Sequence, residues 1–269
     1  MHDQPTTLPA TEKTAQSEPV ALFVSDLHLQ EALPRTTQAF FAFLRNHAMK
    51  ARQLYVLGDL FEYWAGDDDI ATPCNRQVAD AIRQVSDAGV SVFWIAGNRD
   101  FLAGDGFAHA TGATPLPDPF IATIAGQRIV LTHGDAQCTD DAAYMAFRAQ
   151  VRQPGWQQAF LAQPLAQRKK IIEGVRSESR RAQHNKSYDI MDVNTGAIAS
   201  LFDATDSSIM IHGHTHRPAR HENRDGAGTR IRYVLPDWDC DVEPARGGWV
   251  AIGSDGVIRR YAIDGIELQ

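Results

Sequence analysis

Five short polar segments punctuate this chain: Asp26-Leu27-His28, Gly58-Asp59, Gly97-Asn98-Arg99-Asp100, His133-Gly134-Asp135 and Gly213-His214-Thr215-His216. Each follows an apolar run that reads as a buried strand. Carboxylates and imidazoles are costly to gather unless a cation sits among them. Loops after strand ends are also where α/β sheets place their ligands. The ordered series therefore constrains the fold to one whose strand ends meet at a metal-binding edge.

The runs at 20–24, 53–57 and 90–95 read as strands, with helices between them at 36–49 and 75–88. Phe40, Phe43 and Leu44 share one side of the first helix at helical spacing. Gly89 is a plausible stop for the second. This alternation predicts an α/β unit. Residues 120–125 and 127–131 flank Gly126 and read as a hairpin ending at His133. Further strands are predicted at 208–211, 231–235, 248–253 and 257–262, with Ser254-Asp255-Gly256 as the turn between the last two.

The chain has 269 residues, enough for one domain with an insertion. Its net charge of -7 argues against general nucleic-acid binding. Cys74, Cys138 and Cys240 have no paired spacing, which predicts reduced thiols in a cytosolic protein and no zinc-thiolate site. Residues 1–19 are polar, with Pro5, Pro9 and Pro19, and read as a disordered tail rather than a signal peptide. No apolar run approaches the ~20 residues that span a bilayer.

Residues 136–190 differ from the rest. They are helix-prone, interrupted by Pro154-Gly155 and Pro164, and carry nine Lys/Arg against two acidic residues from 148 to 186. Trp156, Phe160, Leu161, Leu165, Ile171 and Ile172 are interleaved with those charges. The segment reads as an inserted cap. Its basic residues suit anionic headgroups and its apolar ones suit a lipid, so a membrane-facing lid is expected.

Asp26 and His28 lie two apart, so in an extended segment both side chains face one way. Asp59 can bridge two cations through its two oxygens, and Asn98 offers a neutral carbonyl oxygen. His133, His214 and His216 offer imidazole nitrogens. Oxygen and nitrogen ligands without thiolate suit Mn²⁺, Fe²⁺ or Mg²⁺, and Zn²⁺ less selectively. His212 follows a buried strand and reads as structural. Asp100 and Asp135 read as partners that orient histidines.

The ordered set of ligand segments resembles the calcineurin-like metallophosphoesterases over about residues 20–263. The resemblance implies an α/β (α+β) fold, a four-layer αββα sandwich with a helical cap. The core would be 20–135 and 191–269, and the cap 136–190. Two divalent ions are implied, Mn²⁺ first among them. One would take Asp26, His28, Asp59 and His216, the other Asp59, Asn98, His133 and His214. Many members have Gly-Asn-His-Glu where this chain has Gly97-Asn98-Arg99-Asp100. That histidine can protonate a leaving alkoxide and an arginine cannot. A guanidinium suits a phosphate leaving group, through bidentate contact with phosphoryl oxygens.

A finer resemblance rests on residues 25–29, 58–64, 97–102, 133–135, 186–187, 190–194 and 212–218. It is to the branch of this family that cleaves a UDP-linked diacylated glucosamine in lipid A biosynthesis. It implies water attack on the α-phosphorus, with Asp59, Arg99 and His214 catalytic. It places substrate contacts on Asn98, Arg99, Asp141, Ser179, Gln183, Lys186 and His214, with Tyr144 and Arg176 beside them. Gln183 stands where that branch usually has asparagine. The location implied is cytoplasmic, peripheral on the inner membrane, with no nucleic acid and no obligate protein partner. Two alternatives stand: a metallophosphoesterase acting on a soluble nucleotide, and a non-catalytic scaffold on the same fold.

Overall fold

The computed structural model describes residues 18–183, 192–225 and 228–269, excluding the side chains of 178–183 and 225. The tail expected at 1–19 lies outside the described residues except for its last two. Those two join the core: Pro19 opens the first strand and the Glu18 carbonyl accepts from Ser254 N.

The first sheet is built from β1 (Pro19–Val24), β2 (Gln53–Leu57), β3 (Ser91–Ile95), β4 (Thr114–Leu116), β10 (Gly248–Gly253), β11 (Ile258–Ala262) and β12 (Glu267–Leu268). Its order is β12-β11-β10-β1-β2-β3-β4, with β1, β2, β3 and β4 parallel. The second sheet uses β5 (Phe120–Ile124), β6 (Gln127–Leu131), β7 (Ile209–His212), β8 (Ala219–Asp225) and β9 (Gly228–Val234), in the order β5-β6-β7-β9-β8. Here β6, β7 and β9 are parallel.

Period-two alternation sorts the side chains into layers. Ala21, Phe23, Tyr55, Leu57 and Ile95 face inward and meet Ile129, Leu131, Ile211 and Tyr233 of the second sheet. Leu22, Val24, Leu54, Val56 and Trp94 face outward, against α1 (Pro34–Asn46), α2 (Pro73–Asp87) and α3 (Asp105–Thr111). Val130 and Met210 face outward on the other side, under α7 (Thr195–Thr205). The result is helix, sheet, sheet, helix. Each fully buried Leu or Phe in these layers contributes about 1.5–3 kcal/mol.

The segment 136–183 forms α4 (Ala142–Val151), α5 (Pro154–Leu161) and α6 (Leu165–Gln183). Its breaks fall where the prolines stand. Pro154 occupies the first turn of α5, where its missing N–H costs nothing, and Pro164 precedes α6. Helix α6 is fastened to the loop after β2 by Arg168 with Asp68, Lys169 with Asp69 and Arg176 with Glu62. Arg168 is buried and also donates to the Ala65 carbonyl. Among the described residues no helix is long and apolar enough to cross a membrane.

Five elements escape the sequence reading: α3, β4, α7, β8 and β12. Strand β8, Ala-Arg-His-Glu-Asn-Arg-Asp, shows no apolar alternation. It is a sheet edge defined by its pairing with β9, and edges tolerate polar sequence. Helix α7 carried a signal in Asn194, whose side chain caps it by accepting from Ala197 N.

Candidate metal centre

Because β1, β2 and β3 run parallel, and β6 parallel to β7, their C-terminal ends open on one edge. The loops there are welded together. Asp26 N donates to the Gly58 carbonyl, and Leu27 N and His28 N both donate to the Asp59 carbonyl. Gly213 N donates to the His133 carbonyl, and Trp238 N to that of Asp26. Two glycines let these loops touch. A Cβ on Gly97 would run into the Asp59 carboxylate, and one on Gly213 into Ser25 and Asp26.

Among the described residues seven non-glycine residues have positive φ, and five are Asp26, His28, Asp59, His214 and His216. Left-handed backbone is unfavourable for such residues and persists where surroundings impose it, commonly at functional sites. This corrects one expectation. Asp26-Leu27-His28 is not extended, since Asp26 and His28 are left-handed at φ 53° and 49°. The two side chains converge through that turn, while Leu27 between them is buried in the core.

Two groups of donor atoms result. Asp26, His28 and His216 form one, and Asp26, Asp59 and His133 the other, each with ligand atoms within 4.8 Å of one another. Asp26 is common to both, where the sequence pointed to Asp59 as the bridge. Asn98 extends the second group: its Oδ1 lies 3.0 Å from His133 Nε2 and 2.9 Å from His214 Nδ1. All seven expected ligands are thus brought together.

The electrostatics fit a cation. Asp26 Oδ2 accepts from Ser25 Oγ and from His214 N, while its buried Oδ1 has no hydrogen-bond partner among the described residues and lies 3.5 Å from His216 Nε2. His28 Nε2 and His216 Nε2 face each other at 3.2 Å. An orphaned buried carboxylate oxygen is costly unless a positive ion takes its lone pair, and the two facing ring nitrogens are close enough to share such an ion. Burial alone would raise the Asp26 carboxyl, but the His216 contact and the surrounding imidazoles hold it well below the carboxylate range. Burial alone would lower His133, yet Asp59, Asp26 and Asp135 lift it to about 9. Burial and the His133 charge push His214 down to about 4, leaving its ring neutral.

Asp100 and Asp135 orient other groups than histidines. Asp100 accepts from Leu60 N and Gly97 N, both at 2.8 Å, and so pins two ligand loops. Asp135 accepts from Tyr144 Oη and Arg148 Nε, which docks α4. Tyr144 also stacks on His214, with ring centroids 6.0 Å apart. Asp141 caps α4 by accepting from Tyr144 N. Arg176 meets Glu62 and the Tyr63 ring. Lys186 and the side chains of Ser179 and Gln183 lie outside the described residues. Arg99 is held by its backbone: its N–H donates to Asp59 Oδ1 and its carbonyl accepts from Trp64 N. Its guanidinium makes no hydrogen bond or ion pair among the described residues.

His212 is buried and stays neutral. Its Nε2 accepts from Arg232 Nη1 at 2.9 Å and its Nδ1 donates to the Gly213 carbonyl. Burial and the Arg232 charge push it down to about 3. In the unfolded chain it titrates near 6.5. The unfolded state therefore binds the extra proton between these values, and stability falls as pH drops from about 6.5 toward 3. Urea midpoints of metal-free protein are expected to fall less steeply over this range in His212→Gln, which keeps an acceptor for Arg232.

Two residues beside the centre were not singled out from the sequence. Glu62 Oε2 lies 3.2 Å from His28 Nδ1, at ion-pair distance but off the line of a hydrogen bond. Asp237 Oδ2 lies 3.8 Å from His216 Nδ1. The signal for Asp237 was the same strand-then-acid pattern, since it follows the 231–235 run. A carboxylate behind a ligand imidazole fixes its tautomer. Glu62→Gln is expected to weaken divalent-metal affinity by about 10- to 100-fold, read by titration calorimetry. Unchanged affinity would remove Glu62 from this role.

Residues 20–218 match the calcineurin-like phosphoesterase family. A UDP-2,3-diacylglucosamine hydrolase of Aromatoleum aromaticum is 48% identical over 239 residues, covering 89% of this chain and 96% of its own. A protein of the same name from Escherichia coli O81 is 47% identical over 88% of this chain and 96% of its own. One from Bordetella pertussis is 46% identical over 87% and 91%. Among solved structures, Vps29 of Entamoeba histolytica with zinc has a TM-score of 0.45 at 15% identity, over 92% of this chain and 95% of that one. The match to the family spans most of the chain and all five segments that carry the expected ligands, and the chain belongs to the calcineurin-like metallophosphoesterases.

Proposed function

We propose that this chain hydrolyses the pyrophosphate bond of UDP-2,3-diacylglucosamine, giving UMP and 2,3-diacylglucosamine 1-phosphate for lipid A biosynthesis. The observation that carries the reading is the 46–48% identity, over nearly the whole chain, to relatives bearing that substrate's name. The converged set of oxygen and nitrogen ligands supports it.

Two divalent cations, Mn²⁺ by preference, would be held by Asp26, His28, Asp59, Asn98, His133, His214 and His216 and supply Lewis acidity and a water of lowered pKa. Arg99 extends its guanidinium from a fixed backbone to the phosphoryl oxygens, whose charge grows during attack. Attack falls on the α-phosphorus, so the water oxygen stays with UMP and the sugar phosphate leaves. Neutral His214 and Asn98 complete the polar wall. Residues 136–190 act as the cap over this edge, with Asp141, Tyr144, Arg176, Ser179, Gln183 and Lys186 as its substrate contacts. The cytoplasmic face of the inner membrane is the site of action.

Turnover of UDP-2,3-diacylglucosamine in ¹⁸O-water with Mn²⁺ tests the reading. Label in UMP supports it, and label in the sugar phosphate reverses the attack. No turnover, with bis(p-nitrophenyl) phosphate still cleaved, discards the lipid substrate. Exposed Phe147, Leu161, Ile171 and Val175 on the cap helices suit contact with lipid. Sedimentation with anionic vesicles at low salt is expected, and its absence would count against the membrane role.

A further inference from the structure

We propose that a pocket beside His216, on the outer face of the second sheet, binds the nucleoside of the substrate. This rests on the pyrophosphatase reading above. The pocket measures about 310 Å³, and its lining includes Asp192, Thr215, His216, Arg217, His221 and Arg232. That volume is at the lower end of small-ligand sites. An inorganic phosphate would leave most of it open.

The lining is short of acceptors. His221 and Arg232 are direct cross-strand partners on β8 and β9. Arg232 is partly buried and uses Nη1 on His212, and among the described residues it has no carboxylate within ion-pair distance. Arg217 is paired with Asp192. Thr215 Oγ1 is buried with no hydrogen-bond partner among the described residues. A buried orphan hydroxyl and a guanidinium with no carboxylate partner among the described residues ask for a ligand rich in acceptors. A uracil offers two carbonyl oxygens, and a ribose adds hydroxyls. Acyl chains would leave these groups unsatisfied.

Position agrees with chemistry. Contacts run from Arg176 on α6 to Glu62, from Glu62 to His28 and from His28 to His216, which lines the pocket. The metal ligands therefore stand between the cap helix and the pocket. Helix α6 exposes Ile171 and Val175. A substrate centred on the metal cluster has its apolar half toward α6 and its nucleoside half toward Arg232.

Mn²⁺-loaded full-length protein irradiated with 5-iodo-UMP should carry the label in peptides containing 215–221 or 232. His221→Ala and Arg232→Gln should each raise the Ki of UMP about tenfold or more, while the Ki of 2,3-diacylglucosamine 1-phosphate moves less than about twofold. Label confined to the cap or to the loops after β1–β3 overturns the assignment. So does an unchanged UMP Ki in folded variants, or no UMP binding by the wild type. Turnover of UDP-2,3-diacylglucosamine is measured on the same preparation. Turnover with unshifted UMP Ki sinks the pocket alone. Without turnover the pyrophosphatase reading fails, and the crosslink then decides the pocket by itself.

Discussion

Alanine at Asp59 is expected to reduce turnover by about 10³-fold or more, beyond the loss from removing one transition-state donor. Two functions meet on this carboxylate. Its Oδ1 lies 3.6 Å from His133 Nε2, inside the second group of donor atoms, and it also accepts from Arg99 N. Asp59→Ala is thus expected to remove a ligand and release the loop that aims Arg99. Asp59→Asn separates the two effects. It keeps an acceptor for Arg99 N but loses the charge, so its metal content should fall while its loop stays placed. Metal analysis together with kcat checks both variants. Near-normal turnover by metal-stripped, Mn²⁺-replenished Asp59→Ala would sink the assignment of Asp59 as a ligand.

The convergence of the expected ligands on one edge was legible because it is written in local sequence. Each of those residues follows a short apolar run, and parallel strands carry their ends to the same side. The alternation of Ala21, Leu22, Phe23 and Val24 decided the layers for the same reason, since neighbouring residues in a strand face opposite sheets. The left-handed turns at Asp26, His28, Asp59, His214 and His216 were not legible. Local preference opposes them, and they exist because packed neighbouring loops impose them. That is also why an extended Asp26-Leu27-His28 was the natural but incorrect expectation.

Residues beside the centre were harder to read, because their meaning depends on contacts distant in sequence. Glu62 lies in a stretch that marked the family resemblance, yet nothing local says that it meets both His28 and Arg176. Asp100 and Asp135 were expected behind histidines because they adjoin ligands. They hold backbone N–H groups and helix α4 instead, roles that appear only once loops and cap are in place. Edge strand β8 was missed for a related reason: its definition lies in β9.

Arg99→Ala isolates the residue in which this chain departs from many members of its family. The backbone N–H that meets Asp59 Oδ1 survives the substitution, as does the Arg99 carbonyl that receives Trp64 N. The ligand loops should therefore stay in place and metal content should match the wild type. What disappears is a guanidinium with no partner among the described residues, placed to meet charge on a phosphoryl group. A fall in kcat of about 10²- to 10³-fold is expected, the scale of losing one preorganised transition-state donor. KM should change little, since an interaction made only in the transition state does not contribute to ground-state binding. Arg99→Lys should recover only part of the loss, because a point charge replaces a planar bidentate donor. A variant with raised KM and intact kcat would show that Arg99 merely binds substrate, and a loss of metal would show that it supports the centre.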